Sequence, residues 1–151
     1  MTVTPHIRIC AAIGVVVLGL GLTACSGDDS PSVDVTLSEW IVEPDPVTVD
    51  AGDIEFTGDN AGGETHEMVV VAAKDADALP TDADGAVVED ELPKGALIGE
   101  IEDIEAQSSK QVTLKLKAGD YVLFCNVTEE QDDGTIESHF AKGMHSVLTV
   151  K

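Results

Sequence analysis

Short runs of alternating apolar and polar residues recur along the chain from Val33 onward, separated by glycine, aspartate and proline. In GDIEFTG, for example, Ile54 and Phe56 share one face. A period of two is typical of strands that bury one side, and short apolar runs between turn residues are read in the same way. The segments with these patterns are VDVTL, GDIEFTG, EMVVVAA, ALIGEIEDI, KQVTLKLKAGDY, YVLFCNV and SVLTVK. About seven or eight strands in one domain predict an all-β fold of two packed antiparallel sheets.

One segment, KDADALPTDADGAVVEDELPKG, does not follow this pattern. We predict a long acidic connection there, with at most a helical turn. Its TDADG stretch is not expected to bind calcium, because Pro80 stands where the first carboxylate ligand would be needed. An immunoglobulin-type sandwich with a disulfide between the sheets is excluded, since Trp40 precedes the only core cysteine, Cys125. An adhesion sandwich without a disulfide stays open.

The beginning of the chain has the layout of an export signal. Arg8 is followed by an apolar stretch over residues 9–22 and then by small residues. The end of this stretch, LTAC, resembles the lipobox of bacterial lipoproteins, which implies a signal peptide over residues 1–24 and a lipidated Cys25. The alternatives are an ordinary secretory signal and an uncleaved anchor. Residues 25–32 are predicted to be a flexible tether, and residues 33–151 a single domain.

Charge narrows the choice of partners. The formal net charge is −21, and loss of residues 1–24 removes Arg8 but no acidic residue, which leaves −22. Such a charge disfavours nucleic acid and anionic membrane surfaces. It is compatible with a solvated acidic surface, with solubility in high salt, or with steering toward a cationic partner. Cys125 would be the one thiol left in the domain, in an exported protein exposed to oxidising conditions.

Four residues suggest a metal site. Cys125 ends the run YVLFC, His139 and Met144 follow before the last predicted strand, and His66 begins an earlier one. Two imidazoles, a thiolate and a weak axial thioether form the ligand set of electron-transfer copper centres. Each residue alone also has an ordinary structural interpretation, since single cysteines and methionines commonly fill cores and loop histidines are commonly exposed.

The segments EWIVEPDPVTVDAGDIEFTGDNAGGETHE, AGDYVLFCNV and HFAKGMHSVLTV together resemble the cupredoxins, the family of plastocyanin, azurin and halocyanin. The resemblance implies a Greek-key β-sandwich with one type 1 copper ion. It also implies that His66, Cys125, His139 and Met144 are the ligands. It covers most of the predicted domain.

The spacing of the ligands departs from the family at one place. Thirteen residues separate Cys125 from His139, whereas family members usually have only a few. The insert contains Asp133 and Gly134, a favourable pair for a tight hairpin turn, which would bring His139 back beside Cys125. The alternative is an altered or lost site in a metal-free relative.

Three residues near the predicted ligands, His145, Asn60 and Asn126, also bear on the site. Met144 and His145 are adjacent near a strand start and should point in opposite directions, so we predict that Met144 faces the metal and His145 faces outward. Asn60 and Asn126 are candidates for hydrogen bonds that fix the surrounding loops. A simple turn-forming role is the alternative for Asn60.

The sequence therefore predicts a copper protein that transfers one electron at a time, and no enzyme. Copper enzymes of this fold need more imidazoles than the three left after residue 24. Redox proteins with a basic docking surface are the expected partners. The protein is expected to be monomeric, exported, and lipid-anchored to the outer face of the cytoplasmic membrane. A copper carrier or store is an alternative, although only Met68 and Met144 would supply thioethers; a metal-free surface sandwich is another.

Overall fold

Eleven strands form two main sheets and one hairpin in the computed structural model, which describes residues 30–151. The four-stranded sheet has the order β2 (Ile41–Asp45), β1 (Ser32–Ser38), β4 (Gly52–Asn60) and β7 (Ser109–Leu116). The five-stranded sheet has the order β3 (Thr48–Val49), β11 (His145–Val150), β8 (Gly119–Phe124), β5 (His66–Ala72) and β6 (Leu97–Ile104). The hairpin pairs β9 (Thr128–Glu130) with β10 (Ile136–Ser138). The predicted signal peptide and Cys25 lie outside the described residues.

Each of the seven segments in which strands were predicted overlaps one of the longer strands, and the all-β sandwich is confirmed. The pairing is not wholly antiparallel, however. β1 runs parallel to β4, with Val33 opposite Phe56, and β3 runs parallel to β11. Alternation records which face of a strand is buried but not the direction of its neighbour, so the sequence pattern could not distinguish these pairs.

The core lies between the two sheets and is built from the alternating apolar residues. Val33, Val35 and Leu37 of β1 are fully buried there, as are Ile54 and Phe56 of β4. Cys125 and Met144 belong to the same buried cluster. Two of the four predicted metal ligands therefore lie within the inter-sheet core.

β5 is buried on both faces, as its continuous apolar run indicates. On the outer face, Val69 and Val71 pack in a second cluster with Leu79 and Val87 of the acidic connection. The connection thus covers the five-stranded sheet, and it contains two short 3₁₀ turns, Ala76–Ala78 and Glu89–Glu91. Within residues 30–151, no helix has the length and apolar character needed to cross a bilayer.

Candidate metal centre

Neighbouring strands bring His66 and Cys125 together. His66 is the first residue of β5, and Cys125 directly follows β8. These strands are antiparallel neighbours, with Val69 opposite Phe124, so the start of β5 lies beside the end of β8. The two ligand candidates are 59 positions apart in the chain, and the sheet register alone makes them adjacent.

The insert after Cys125 folds as the hairpin that the sequence predicted. Gln131 donates its backbone N–H to Thr135 O at 2.8 Å, and Gly134 takes the turn position with φ of 81°. A side chain at that φ would be strained, which explains the glycine. The returning strand leads to His139, whose N–H donates to Val127 O at 3.0 Å. The thirteen-residue insert therefore leaves the ends of the loop together.

Backbone hydrogen bonds lock Met144 between the other two ligand candidates of this region. Its N–H donates to His139 O at 3.1 Å, and its carbonyl accepts from Cys125 N, also at 3.1 Å. Met144 is fully buried, whereas the neighbouring His145 is exposed and lies against Phe140. This is the arrangement predicted for the two adjacent residues.

Three donor atoms converge at the centre of the site. The Nδ1 atoms of His66 and His139 are 3.2 Å apart, and Cys125 Sγ lies 3.9 Å and 3.4 Å from them, respectively. All three side chains, and that of Met144, have no exposed surface. Their chemistry fits copper, because imidazole and thiolate with a thioether favour it over the oxygen-seeking cations.

Burial favours the neutral forms of Cys125 and His66 in the metal-free protein. It raises the pKa of Cys125 to about 11, an effect that the backbone N–H of Glu67, 3.4 Å from Sγ, only partly offsets. Burial, followed by the charge of His139, lowers the pKa of His66. A bound cation would therefore displace the thiol proton, and burial makes the neutral imidazole of His66 available as a ligand.

Asn60 and Asn126 fix the adjoining loops. The buried Asn60 side chain donates to Glu64 O at 2.7 Å and to Ile104 O at 2.8 Å, and it accepts from Gly62 N at 2.9 Å. Asn60 thus holds the loop that leads into His66.

Asn126, the residue after Cys125, ties the acidic connection to this part of the site. Its side chain accepts from Val87 N at 2.7 Å and donates to Val87 O at 3.0 Å. Its own backbone N–H donates to Glu67 Oε1 at 3.0 Å. In the same connection, the Asp82 carboxylate caps its own turn by accepting from the backbone of Asp84 and Ala86.

Sequence reasoning missed three residues that surround the imidazoles. The Trp40 ring meets the edge of His139 with centroids 4.9 Å apart. Glu39 Oε1 lies 3.7 Å from His66 Nε2, and Glu64 Oε2 lies 3.7 Å from His139 Nε2. Its own backbone N–H, followed by those of residues 63 and 64, lowers the pKa of Glu39. Only the position of Glu64, two residues before His66, was a signal in the sequence.

Glu64 also belongs to a second cluster of donor atoms. Its carboxylate, that of Glu129 and one ring nitrogen of His139 lie within 4.8 Å of one another. This cluster shares His139 with the Cys125 site, so the two groups compete for one imidazole unless the ring bridges two ions. The Cys125 group is the more completely buried of the two.

Comparisons with solved structures identify the fold. The chain is similar to a dithionite-reduced auracyanin from the photosynthetic bacterium Roseiflexus castenholzii, with a TM-score of 0.58 and 22% identity over 81% of this chain and 98% of that one. It is similar to an azurin of Methylomonas sp. strain J, with a TM-score of 0.55 and 16% identity over 81% and 98%. Auracyanin B aligns with a TM-score of 0.53 and 20% identity over 80% and 88%.

No protein-family model matches the chain, and no curated protein matches it. The three structures are cupredoxins, and at such identities their likeness concerns the fold. The donor set and its burial carry the assignment of the site. The chain has the cupredoxin fold, and its group of His66, Cys125, His139 and Met144 fits one type 1 copper ion.

Proposed function

We propose that this chain is a membrane-anchored blue copper protein that carries single electrons between redox proteins outside the cytoplasm. The observation that supports it most is the convergence of two imidazole Nδ1 atoms and one sulfur within 3.9 Å, in a pocket with no exposed ligand. Bound copper, held by His66, Cys125, His139 and Met144, would supply the one-electron Cu(II)/Cu(I) couple.

The protein's part in this function is to hold the four ligands in a fixed, buried arrangement. Two strands, a hairpin and a backbone-locked turn fix the four side chains, so little rearrangement is needed when the charge at the centre changes. All four ligand side chains are fully buried, so none of them is exposed to a substrate in solution. These features favour electron transfer over catalysis.

We place the docking surface around Trp40. Trp40 is partly exposed and is in ring contact with the buried His139, so it offers a short path from the centre to the surface. The partly exposed carboxylates of Glu39 and Glu64 flank this path. The nearby Lys142 is paired with Glu137 at 2.6 Å, which compensates its charge. An acidic surround of this kind favours a partner with a basic face.

The test of the copper assignment is a titration of the purified domain with Cu(II). We expect one equivalent to bind and to give an intense thiolate-to-copper band that disappears on reduction and returns on oxidation. Cys125→Ala should abolish the band. His139→Ala should abolish or strongly alter it, whereas His145→Ala is the matched control and should keep it, because His145 is exposed.

Two other outcomes would contradict electron transfer. Binding of Cu(I) alone with rapid release to an acceptor would support a copper carrier. Absence of binding would leave a metal-free sandwich with an interaction role.

The partner and the anchor need separate tests. Electron transfer to a cationic redox protein should be faster than to an anionic one, and added salt should slow the first reaction, because screening weakens steering by the acidic surface. The anchor rests on the sequence alone. Cys25→Ala should release the full-length protein from the membrane fraction, and retention there would refute lipidation at Cys25.

A further inference from the structure

Each imidazole of the site has a carboxylate beside its outer nitrogen. His66 Nε2 lies 3.7 Å from Glu39 Oε1, and His139 Nε2 lies 3.7 Å from Glu64 Oε2. These separations are within ion-pair range but longer than a hydrogen bond. Within residues 30–151, both Nε2 atoms and Glu64 Oε2 are buried side-chain atoms without a hydrogen-bond partner. Buried polar groups are normally paired, so this arrangement calls for an explanation.

The loop before His66 holds the Glu39 carboxylate and the backbone of Glu64 in place. Glu39 Oε1 accepts from the backbone N–H of Gly63 at 2.7 Å and of Glu64 at 3.0 Å. The side-chain amide of Asn60 in turn donates to the backbone carbonyl of Glu64. One loop therefore fixes the Glu39 carboxylate and the backbone of Glu64, and it leads directly into the first imidazole.

A carboxylate constrains where the proton of a neutral imidazole resides. An ionised carboxylate only accepts hydrogen bonds, so it favours a proton on the nitrogen that faces it. For His66 and His139 that nitrogen is Nε2, which leaves both Nδ1 atoms with free lone pairs. Those atoms face each other at 3.2 Å, beside Cys125 Sγ. Two facing acceptors repel unless a cation or a donated proton lies between them.

We propose that Glu39 and Glu64 are positioning residues for the two histidine ligands. Each carboxylate holds the proton of its imidazole on Nε2, so that both Nδ1 atoms are presented to a metal. Their combined negative charge also favours Cu(II) over Cu(I). This second part rests on the proposed function, whereas the first part is a property of the metal-free protein.

The variants for the test are Glu39→Gln and Glu64→Gln, singly and together. Glutamine keeps the shape but can turn its NH₂ group toward Nε2, and so it permits the other tautomer. Glu55→Gln is the matched control, because Glu55 is an exposed residue of β4 and its replacement makes the same change in charge.

The first measurement is made without metal. Long-range ¹H–¹⁵N correlation spectra distinguish a proton on Nδ1 from one on Nε2. We expect both site imidazoles of the wild type and of Glu55→Gln to be Nε2–H tautomers, and the ring beside each replaced carboxylate to gain Nδ1–H population. Wild-type rings protonated on Nδ1, or tautomers unchanged in both single variants, would overturn the proposal.

The second measurement is the reduction potential of the copper-loaded proteins. At a fixed applied potential, the ratio of Cu(I) to Cu(II) should rise about tenfold in the double variant, which corresponds to ~59 mV for a one-electron couple. Glu55→Gln should shift it much less. Equal shifts in the control and the double variant would refute a specific effect. If no copper binds, the proposed function fails and the tautomers alone decide; if copper binds but neither measurement responds, only the positioning role fails.

Discussion

Replacement of Asn60 by alanine should destabilise the domain strongly, although Asn60 binds no metal. Its buried side chain donates two hydrogen bonds, to Ile104 O and Glu64 O, and accepts one from Gly62 N. A typical hydrogen bond contributes about 1 kcal/mol to stability, and a buried carbonyl left without a donor costs about 1–3 kcal/mol. We therefore expect Asn60→Ala to lower the free energy of unfolding by about 3 kcal/mol.

Urea denaturation of the metal-free protein, followed by the fluorescence of Trp40, the one tryptophan of the chain, measures this loss. Asn60→Asp should be at least as unstable, because it loses both donated hydrogen bonds and brings a negative charge against two carbonyls. Asp59→Ala, at the neighbouring exposed position of β4, is the control. Asn60→Ala within about 0.5 kcal/mol of that control would refute the reasoning, since ordinary surface changes fall in that range.

Three further results are expected. Burial raises the pKa of Glu67 to about 6, because the folded state favours the protonated carboxyl. The stability that this preference contributes is fully present below about pH 4.5 and is lost as the pH rises through 6. After discounting for partial exposure, Glu67→Gln should stabilise the metal-free protein by about 1 kcal/mol at pH 7 and not at pH 4.5. Urea midpoints with the same pH dependence in both proteins would contradict this. Because burial raises the pKa of Cys125 to about 11, iodoacetamide at pH 8 should alkylate the folded metal-free protein about 100-fold more slowly than the urea-unfolded chain; equal rates would disprove it. Gly134→Ala should cost about 1 kcal/mol in the same denaturation assay, since φ is 81° there and no atom crowds the new Cβ, and a gain in stability would argue against the turn.

The strands and the hairpin of the insert were predictable because their signals are local. Alternation in VDVTL and GDIEFTG identified β1 and β4, and the pair Asp133 and Gly134 identified the turn that returns the chain to His139. The short strands β2 and β3 were not predicted. They are only five and two residues long, and the segment contains Pro44 and Pro46, which weaken a strand pattern.

The ligand set could be assembled from residue types, because thiolate, imidazole and thioether are few in this chain. Carboxylates, in contrast, are numerous. Among 29 acidic residues, nothing local marks Glu39 as a neighbour of His66 Nε2. The contacts of Glu39 and Trp40 with the site depend on how the turn after β1 packs against the loop before β5, and that packing is a property of the closed sandwich.

The most direct test of the account is a crystal structure of the copper-loaded protein with anomalous scattering measured at the copper edge. One strong peak is expected, within bonding distance of Cys125 Sγ and of the Nδ1 atoms of His66 and His139, with Met144 beside it. Copper bound instead by the carboxylates of Glu64 and Glu129 through His139, with Cys125 outside the coordination sphere, would contradict the account.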